Sequence, residues 1–267
     1  MLFYKKWCGG CTGRIVLKGM DMAVNSNLEW TDATWNPIVG CTKYSDGCAN
    51  CYAMPISERL RAQGVRGYEN GFRLSLRPER LEMPLHWSKP RLVFVDSMCD
   101  LFHQDVPLEY IQRVFAIMKR ANWHIYTILT KRSERLRELA PHLEWLPNIV
   151  MGVTIESDKY RHRLDDLKAV PAHMKYLSLE PLLGPIDRLD LSGIDWVIVG
   201  GESGPNARPM NPDWVRQIRD WTTPQGVAFW FKQYSAHGCA GTAPEPILDG
   251  KKYKQFPEFK RGTLELF

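Results

Sequence analysis

Three cysteines crowd the stretch Gly40-Cys41-Thr42-Lys43-Tyr44-Ser45-Asp46-Gly47-Cys48-Ala49-Asn50-Cys51-Tyr52, spaced C-x6-C-x2-C. Thiolates this close are soft ligands that suit iron–sulfur clusters or zinc. Cys48 and Cys51 share one turn, so both sulfurs can reach the same metal. Asp46-Gly47 can turn the chain so that Cys41 arrives from the other side of the loop. A structural zinc site is closed by four ligands. A cubane cluster held by three cysteines instead keeps one iron free for a substrate or cofactor. Zinc completed by a distant His or Cys stays open as an alternative. So does a disulfide with a spare thiol, although such pairs belong mainly to small secreted domains.

The elements that must position this loop follow a repeated rhythm. Short apolar, β-branched runs end in polar residues and give way to helical patterns. The runs cover 34–39, 91–95, 124–129, 149–155, 175–179, 196–199 and 228–231. Helices are expected over 49–62, after Pro107 with Ile111, Val114, Phe115 and Met118 on one face, through Leu139, over 159–168 and over 213–221. Strand–helix alternation of this kind implies parallel strands joined by right-handed crossovers. The expected fold is therefore α/β, a partial or complete parallel (β/α)6-7 barrel. Barrel active sites lie at the carboxyl ends of the strands. Here those ends carry the cysteines, Asp96, Lys131, Glu156, Glu180, Glu202 and Lys232. Residues 27–235 read as the barrel domain with its cysteine loop at 40–52. Residues 1–26 read as an extension outside the core, and 236–267 as an irregular tail.

Composition narrows the classes. A hydrophobic content of 44% supports a sizeable core, and no run is long enough to cross a membrane. Seven cysteines, an odd number, argue against full pairing, and the basic start lacks a long apolar core, so the chain reads as cytoplasmic and reduced. The formal charge is +5, but residues 1–19 carry Lys5, Lys6, Arg14 and Lys18 and no acid. The remainder holds 31 basic and 30 acidic residues, which argues against an extended duplex-binding surface. Cys8-Gly9-Gly10-Cys11 is a CxxC pair within that leader, and Met20 or Met22 is an equally good start.

A partial barrel whose first strand runs into a three-cysteine loop resembles the radical S-adenosylmethionine superfamily. Trp35-Asn36-Pro37, Gly40-Cys41, Cys48-Ala49-Asn50-Cys51-Tyr52, Ser178-Leu179-Glu180-Pro181 and Gly200-Gly201-Glu202-Ser203 look like a phage- and bacteria-associated "three-Cys-motif" family of unassigned function. The pair Cys51-Tyr52 also resembles spore photoproduct lyases, which are radical enzymes of DNA repair. The superfamily resemblance implies a [4Fe–4S] cluster on Cys41, Cys48 and Cys51. It also implies S-adenosylmethionine on the open iron and an electron donor such as flavodoxin or ferredoxin. The spacing departs from the common C-x3-C-x2-C, and Asn50 stands where an aromatic residue is usual.

Within that resemblance Glu202, with Gly200 and Gly201, would accept the ammonium of S-adenosylmethionine. In the superfamily the comparable glycine-rich element follows the second strand, where Asp96 and Ser97 stand here. Lys131, Arg132 or Arg208 would bind a carboxylate or phosphate. Glu156 and Glu180 would bind ribose hydroxyls or a substrate base, or else form ion pairs with Lys131 or Lys232. Cys99 would donate a hydrogen atom to a substrate radical, and Tyr52, next to Cys51, would be a second catalytic residue. His103 and His124 read as core or surface histidines. Ten tryptophans, among them Trp30, Trp35 and Trp230, wall a barrel or stack on bases. Two function classes follow. One is a radical enzyme acting on a nucleic acid or nucleobase. The other is a non-catalytic iron–sulfur or zinc protein that binds or regulates with a partner protein.

Overall fold

In the computed structural model residues 28–204, 206–237 and 244–259 are described. The expected extension at 1–26, with its CxxC pair, lies outside them, as does part of the expected tail. Eleven strands are present among the described residues: β1 Ala33–Trp35, β2 Ile38–Val39, β3 Ser75–Leu76, β4 Leu92–Val95, β5 Ile125–Thr130, β6 Ile149–Thr154, β7 Met174–Leu179, β8 Trp196–Gly200, β9 Ala228–Gln233, β10 Ile247–Leu248 and β11 Lys251–Lys252. Five α-helices join them: α1 Ala53–Ala62, α2 Leu108–Arg120, α3 Ser133–Leu139, α4 Arg163–Lys168 and α5 Pro212–Thr222.

Seven strands form one all-parallel sheet in the order β1-β4-β5-β6-β7-β8-β9. β1 and β9 do not pair with each other, so the sheet is a curled half-barrel rather than a closed one. The central strands are buried along almost their whole length because both faces are covered. One face packs on the helices. Val93, Val95, Ile128, Met151, Val153, Leu177, Val197, Val199 and Phe229 share one buried cluster there with Ile111, Val114, Phe115 and Met118 of α2, Leu164 and Leu167 of α4, and Val215 and Ile218 of α5. The concave face is aromatic: Trp30, Phe94, Tyr176, Trp196 and Trp230 fill it. Phe256 caps the cluster, 4.8 Å from Trp230 and 5.4 Å from Trp196 between ring centroids. Trp30 and Trp230 thus plug the barrel, while Trp35 lies on the helical side and donates to the Arg80 carbonyl at 2.8 Å.

Three departures from the expected elements have structural causes. The first apolar run splits at Asn36-Pro37, because β2 leaves the main sheet to pair antiparallel with β3. The helix expected from residue 49 begins at Ala53, and the one expected from 159 begins at Arg163. A 3₁₀ turn precedes each, at Asp46–Cys48 and Asp158–Tyr160. The tail is not wholly irregular. β10 and β11 form a hairpin, and Tyr253–Gln255 then bonds along the outer edge of β9, covering it. No helix among the described residues is long and apolar enough to cross a membrane.

The lower rim is pegged by side chains. Asp32 accepts from the Leu92 amide, and Asp195 from the Lys175 amide, each at 2.8 Å, which fixes the register of neighbouring strands. Asp195→Ala should lower unfolding free energy by about 1–3 kcal/mol, the cost of a lost partner for a partly buried donor. Urea titration checks this. His124 is fully buried among Trp87, Trp123 and Tyr126 and lies 3.0 Å from the Pro84 carbonyl. Burial holds its pKa below the ordinary histidine value. The unfolded chain therefore takes up a proton before the folded one does. Stability should fall as pH drops below about 6.5, by at most about 1.4 kcal/mol per pH unit from this group. His124→Gln should flatten that slope in urea midpoints measured between pH 7.5 and 5.5.

Candidate metal centre

The cysteine loop leaves β1 and β2 and crosses the carboxyl-end mouth of the half-barrel. Gly40 begins it at φ 82, where a Cβ would stand 2.3 Å from the Arg73 carbonyl oxygen. Only glycine fits that bend without a shift of backbone. None of the four described cysteines, Cys41, Cys48, Cys51 and Cys99, is in a disulfide, so the disulfide reading does not hold for them.

Three carboxylates from alternate strand ends hold the loop. Beyond β4, Asp100 accepts from Thr130 Oγ1 at 2.7 Å, the Phe102 amide at 3.0 Å and Arg132 Nη1 at 2.9 Å. Arg132, itself buried, carries the link on to the loop. Its Nη2 donates to the carbonyl and hydroxyl of Thr42, both at 3.1 Å, and its Nη1 lies 3.7 Å from Cys41 Sγ. His103 Nε2 meets the same Thr42 hydroxyl at 2.8 Å, and burial lowers the His103 pKa. The Cys41 thiol is pushed up to about 11, chiefly by burial, with Asp100 adding to this and Arg132 opposing it.

At the end of β6, Glu156 has no exposed surface. It accepts from the Ser45 hydroxyl and from Arg163 Nη1 at 3.1 Å, while Lys131 Nζ stands 3.8 Å away. Ser45 Oγ is also 3.8 Å from Cys48 Sγ. Gly47 lies so close that a Cβ there would be 2.5 Å from Glu156 Oε1.

Past β8, Glu202 takes a two-pronged bond from Arg208, a 2.8 Å bond from the Arg208 amide and a 3.1 Å bond from the Asn50 side chain. Burial works against the charge of Glu202, but the Arg208 and Asn50 hydrogen bonds outweigh it and hold its pKa below the usual glutamate value. Arg208 Nη2 reaches on to the Asp46 carbonyl at 2.9 Å. Beside Cys51, Tyr52 donates to the Ser97 carbonyl at 2.6 Å.

Several residues therefore do different work from that expected. Glu156 is too deep and too fully bonded to meet ribose or a base. Glu202 is already shared between Arg208 and Asn50, so it is not a free acceptor for an ammonium. Arg208 forks onto Glu202 rather than onto an incoming anion, and Arg132 is a buried link. Lys131 is near Glu156, as the ion-pair reading anticipated, and Glu180 pairs with Lys232 at 2.5 Å, with about a fifth of each side chain exposed. Ser97 Oγ is bonded to Asn36 at 3.1 Å. Gly200 ends β8 and Gly201 follows it, tied on both sides to Gln233. Asp96 sits in the left-handed region at φ 58, with Oδ2 buried and unpartnered. Burial raises its pKa well above the usual aspartate value, and Asp100 adds to this. Cys99 is half-buried, its thiol likewise pushed well up by burial, then by Asp96. The roles of Asn36, Ser45, Asp100 and Arg163 had no signal in sequence beyond the polarity of three of them at strand ends and turns.

Among the described residues no group of three or more His, Cys, Asp or Glu side chains closes around a single ion. A tetrahedral zinc would gather its sulfurs to roughly 3.8 Å of one another, from Zn–S bonds of about 2.3 Å. Cys41, Cys48 and Cys51 on one loop are a soft thiol donor set of the kind that an iron–sulfur cluster takes, and zinc takes the same donors.

The chain belongs to the family described as "Protein of unknown function (DUF5131)", which matches residues 25–257. No curated protein matches it. Among solved structures it is similar to a spore photoproduct lyase complexed with dinucleoside spore photoproduct, at 11% identity over 79% of this chain, TM-score 0.47. It is also similar to a mutant of such a lyase with bound AdoMet and dinucleoside spore photoproduct, at 10% identity over 72% of this chain, TM-score 0.43. This chain spans 65% of the first structure and 61% of the second.

Glu156→Ala should leave Arg163 buried without its partner and cost about 3–5 kcal/mol. Its other effect should fall on the loop: Cys48 alkylation, followed by mass spectrometry, should accelerate more than Cys99 alkylation.

Proposed function

We propose that this protein is a radical S-adenosylmethionine enzyme. Its loop would hold a [4Fe–4S] cluster on Cys41, Cys48 and Cys51, and its substrate would be a nucleobase or an unpaired nucleic-acid segment. One observation carries this reading. The three thiols lie on the loop after the first strand, across the mouth of an all-parallel half-barrel, where such folds do their chemistry. When bound, the cluster and S-adenosylmethionine supply reductive cleavage of a carbon–sulfur bond, and with it a radical able to abstract hydrogen.

The chain's own groups divide the remaining work. The Glu180–Lys232 pair is part-exposed and offers an acceptor and a donor side by side, suited to ribose hydroxyls or to an amino-acid carboxylate and ammonium. Gly200 borders that pair, where a Cβ would stand 3.3 Å from Glu180 Cδ, whereas Gly201 lets the chain pass against the Ser235 backbone. Asp96, whose pKa burial raises well above the usual aspartate value, keeps Oδ2 buried and without a hydrogen-bond partner near the mouth. Cys99 is held as a neutral thiol, the form whose S–H hydrogen can pass to a substrate radical. Tyr44 and Tyr52, both 46% exposed, flank the loop and offer flat faces on which bases can stack. The near-even charge outside residues 1–19 favours a short unpaired segment over a long duplex.

The test is anaerobic reconstitution with iron and sulfide, reduction, addition of S-adenosylmethionine, and chromatography for 5′-deoxyadenosine. Release is expected, and Cys51→Ala should abolish it. Uptake of iron without release would instead favour a binding or regulatory protein. Uptake of zinc alone would sink the cluster assignment.

A further inference from the structure

Arg132 joins two features that are seldom found together, burial and a sulfur neighbour. Its side chain is 5% exposed and Asp100's is 8% exposed. Nη1 sits 2.9 Å from Asp100 Oδ2 and 3.7 Å from Cys41 Sγ. The Thr42 carbonyl and hydroxyl fix Nη2, and the Tyr44 ring lies over the guanidinium at 4.9 Å. Asp100 is fixed as firmly, by Thr130, Phe102 and the Lys131 amide. One positive and one negative charge are thus locked beside one thiol, away from water. There they act through a low dielectric with little screening by salt.

We infer that the Arg132–Asp100 pair sets the reduction potential of the cluster at Cys41. The inference rests on the reading of Cys41 as a cluster ligand. Reduction moves one electron from an external reductant onto the cluster, which gains one negative charge while the donor is oxidised by one electron. Arg132 stabilises that added charge and raises the potential. Asp100 opposes it and lowers the potential. Charge and hydrogen bonds at cluster sulfurs are established levers on such potentials. Arg132 is therefore a positioning and tuning residue rather than a binder of substrate phosphate.

A purely structural role predicts that losing either partner loosens the loop in the same way. The electrostatic role predicts opposite signs. The experiment is a redox titration of reconstituted wild type, Arg132→Gln, Arg132→Lys and Asp100→Asn, followed by visible absorbance. Arg132→Gln should need a more negative potential. At the wild-type midpoint its reduced-to-oxidised ratio should fall at least tenfold, about 59 mV for one electron. Asp100→Asn should shift the other way, and Arg132→Lys should stay nearer wild type. Shifts of the same sign in the Gln and Asn variants, or ratios within twofold of wild type in both, would overturn the inference while leaving the cluster in place. If Arg132→Gln does not fold, the Asn variant alone decides, because a negative or absent shift there contradicts the pair's role. Wild type that takes up no iron would overturn the cluster reading itself, and this inference with it.

Discussion

Glu156 has no exposed surface, and each of its oxygens is engaged, one by Ser45 and the other by Arg163. A buried carboxylate is tolerable only when it is neutralised and hydrogen-bonded on every side. The end of β6, the first turn of α4 and the cysteine loop must therefore come together as one unit. Asp100 and Glu202 repeat the device beyond β4 and β8, through Arg132 and through Asn50 and Arg208. The loop is tied near Cys41, near Cys48 and near Cys51 by three separate strand ends. Its course is therefore set by hydrogen bonds and ion pairs of the protein itself.

That arrangement decides which polar groups remain for chemistry. Most carboxylates at the mouth are consumed in holding the loop. Glu180 with Lys232, the buried Asp96 and the thiol of Cys99 are left. They lie with the cysteine loop at the carboxyl-end mouth, while the aromatic plug of Trp30, Trp196, Trp230 and Phe256 fills the concave face. The polar mouth thus stands over an aromatic floor of buried rings.

The sheet was legible in sequence because each strand is a short apolar run with polar residues beyond it, and helix-length crossovers allow only parallel pairing. Whether the barrel closes was not legible, because that depends on β1 and β9 meeting, and no local pattern encodes it. The late start of α1 was hidden for a similar reason: Asn50 is drawn to Glu202 and Asn206, more than 150 residues away in the chain. Spacing nominated the three cysteines, and polarity nominated the strand ends. Composition could not say that Arg163, a helix residue, would be 2% exposed and paired with Glu156. Nor could it say that Arg208 would occupy Glu202. A sequence can nominate a carboxylate, but its neighbours decide whether it is free.

The central claim is a three-cysteine cluster with one iron open to a ligand at the barrel mouth. Electron paramagnetic resonance of the reconstituted, reduced protein, with and without S-adenosylmethionine, tests it most directly. The account predicts a [4Fe–4S] signal whose g-values shift when S-adenosylmethionine is added. A signal that ignores the ligand, or a protein that binds zinc and shows no iron signal, would contradict it.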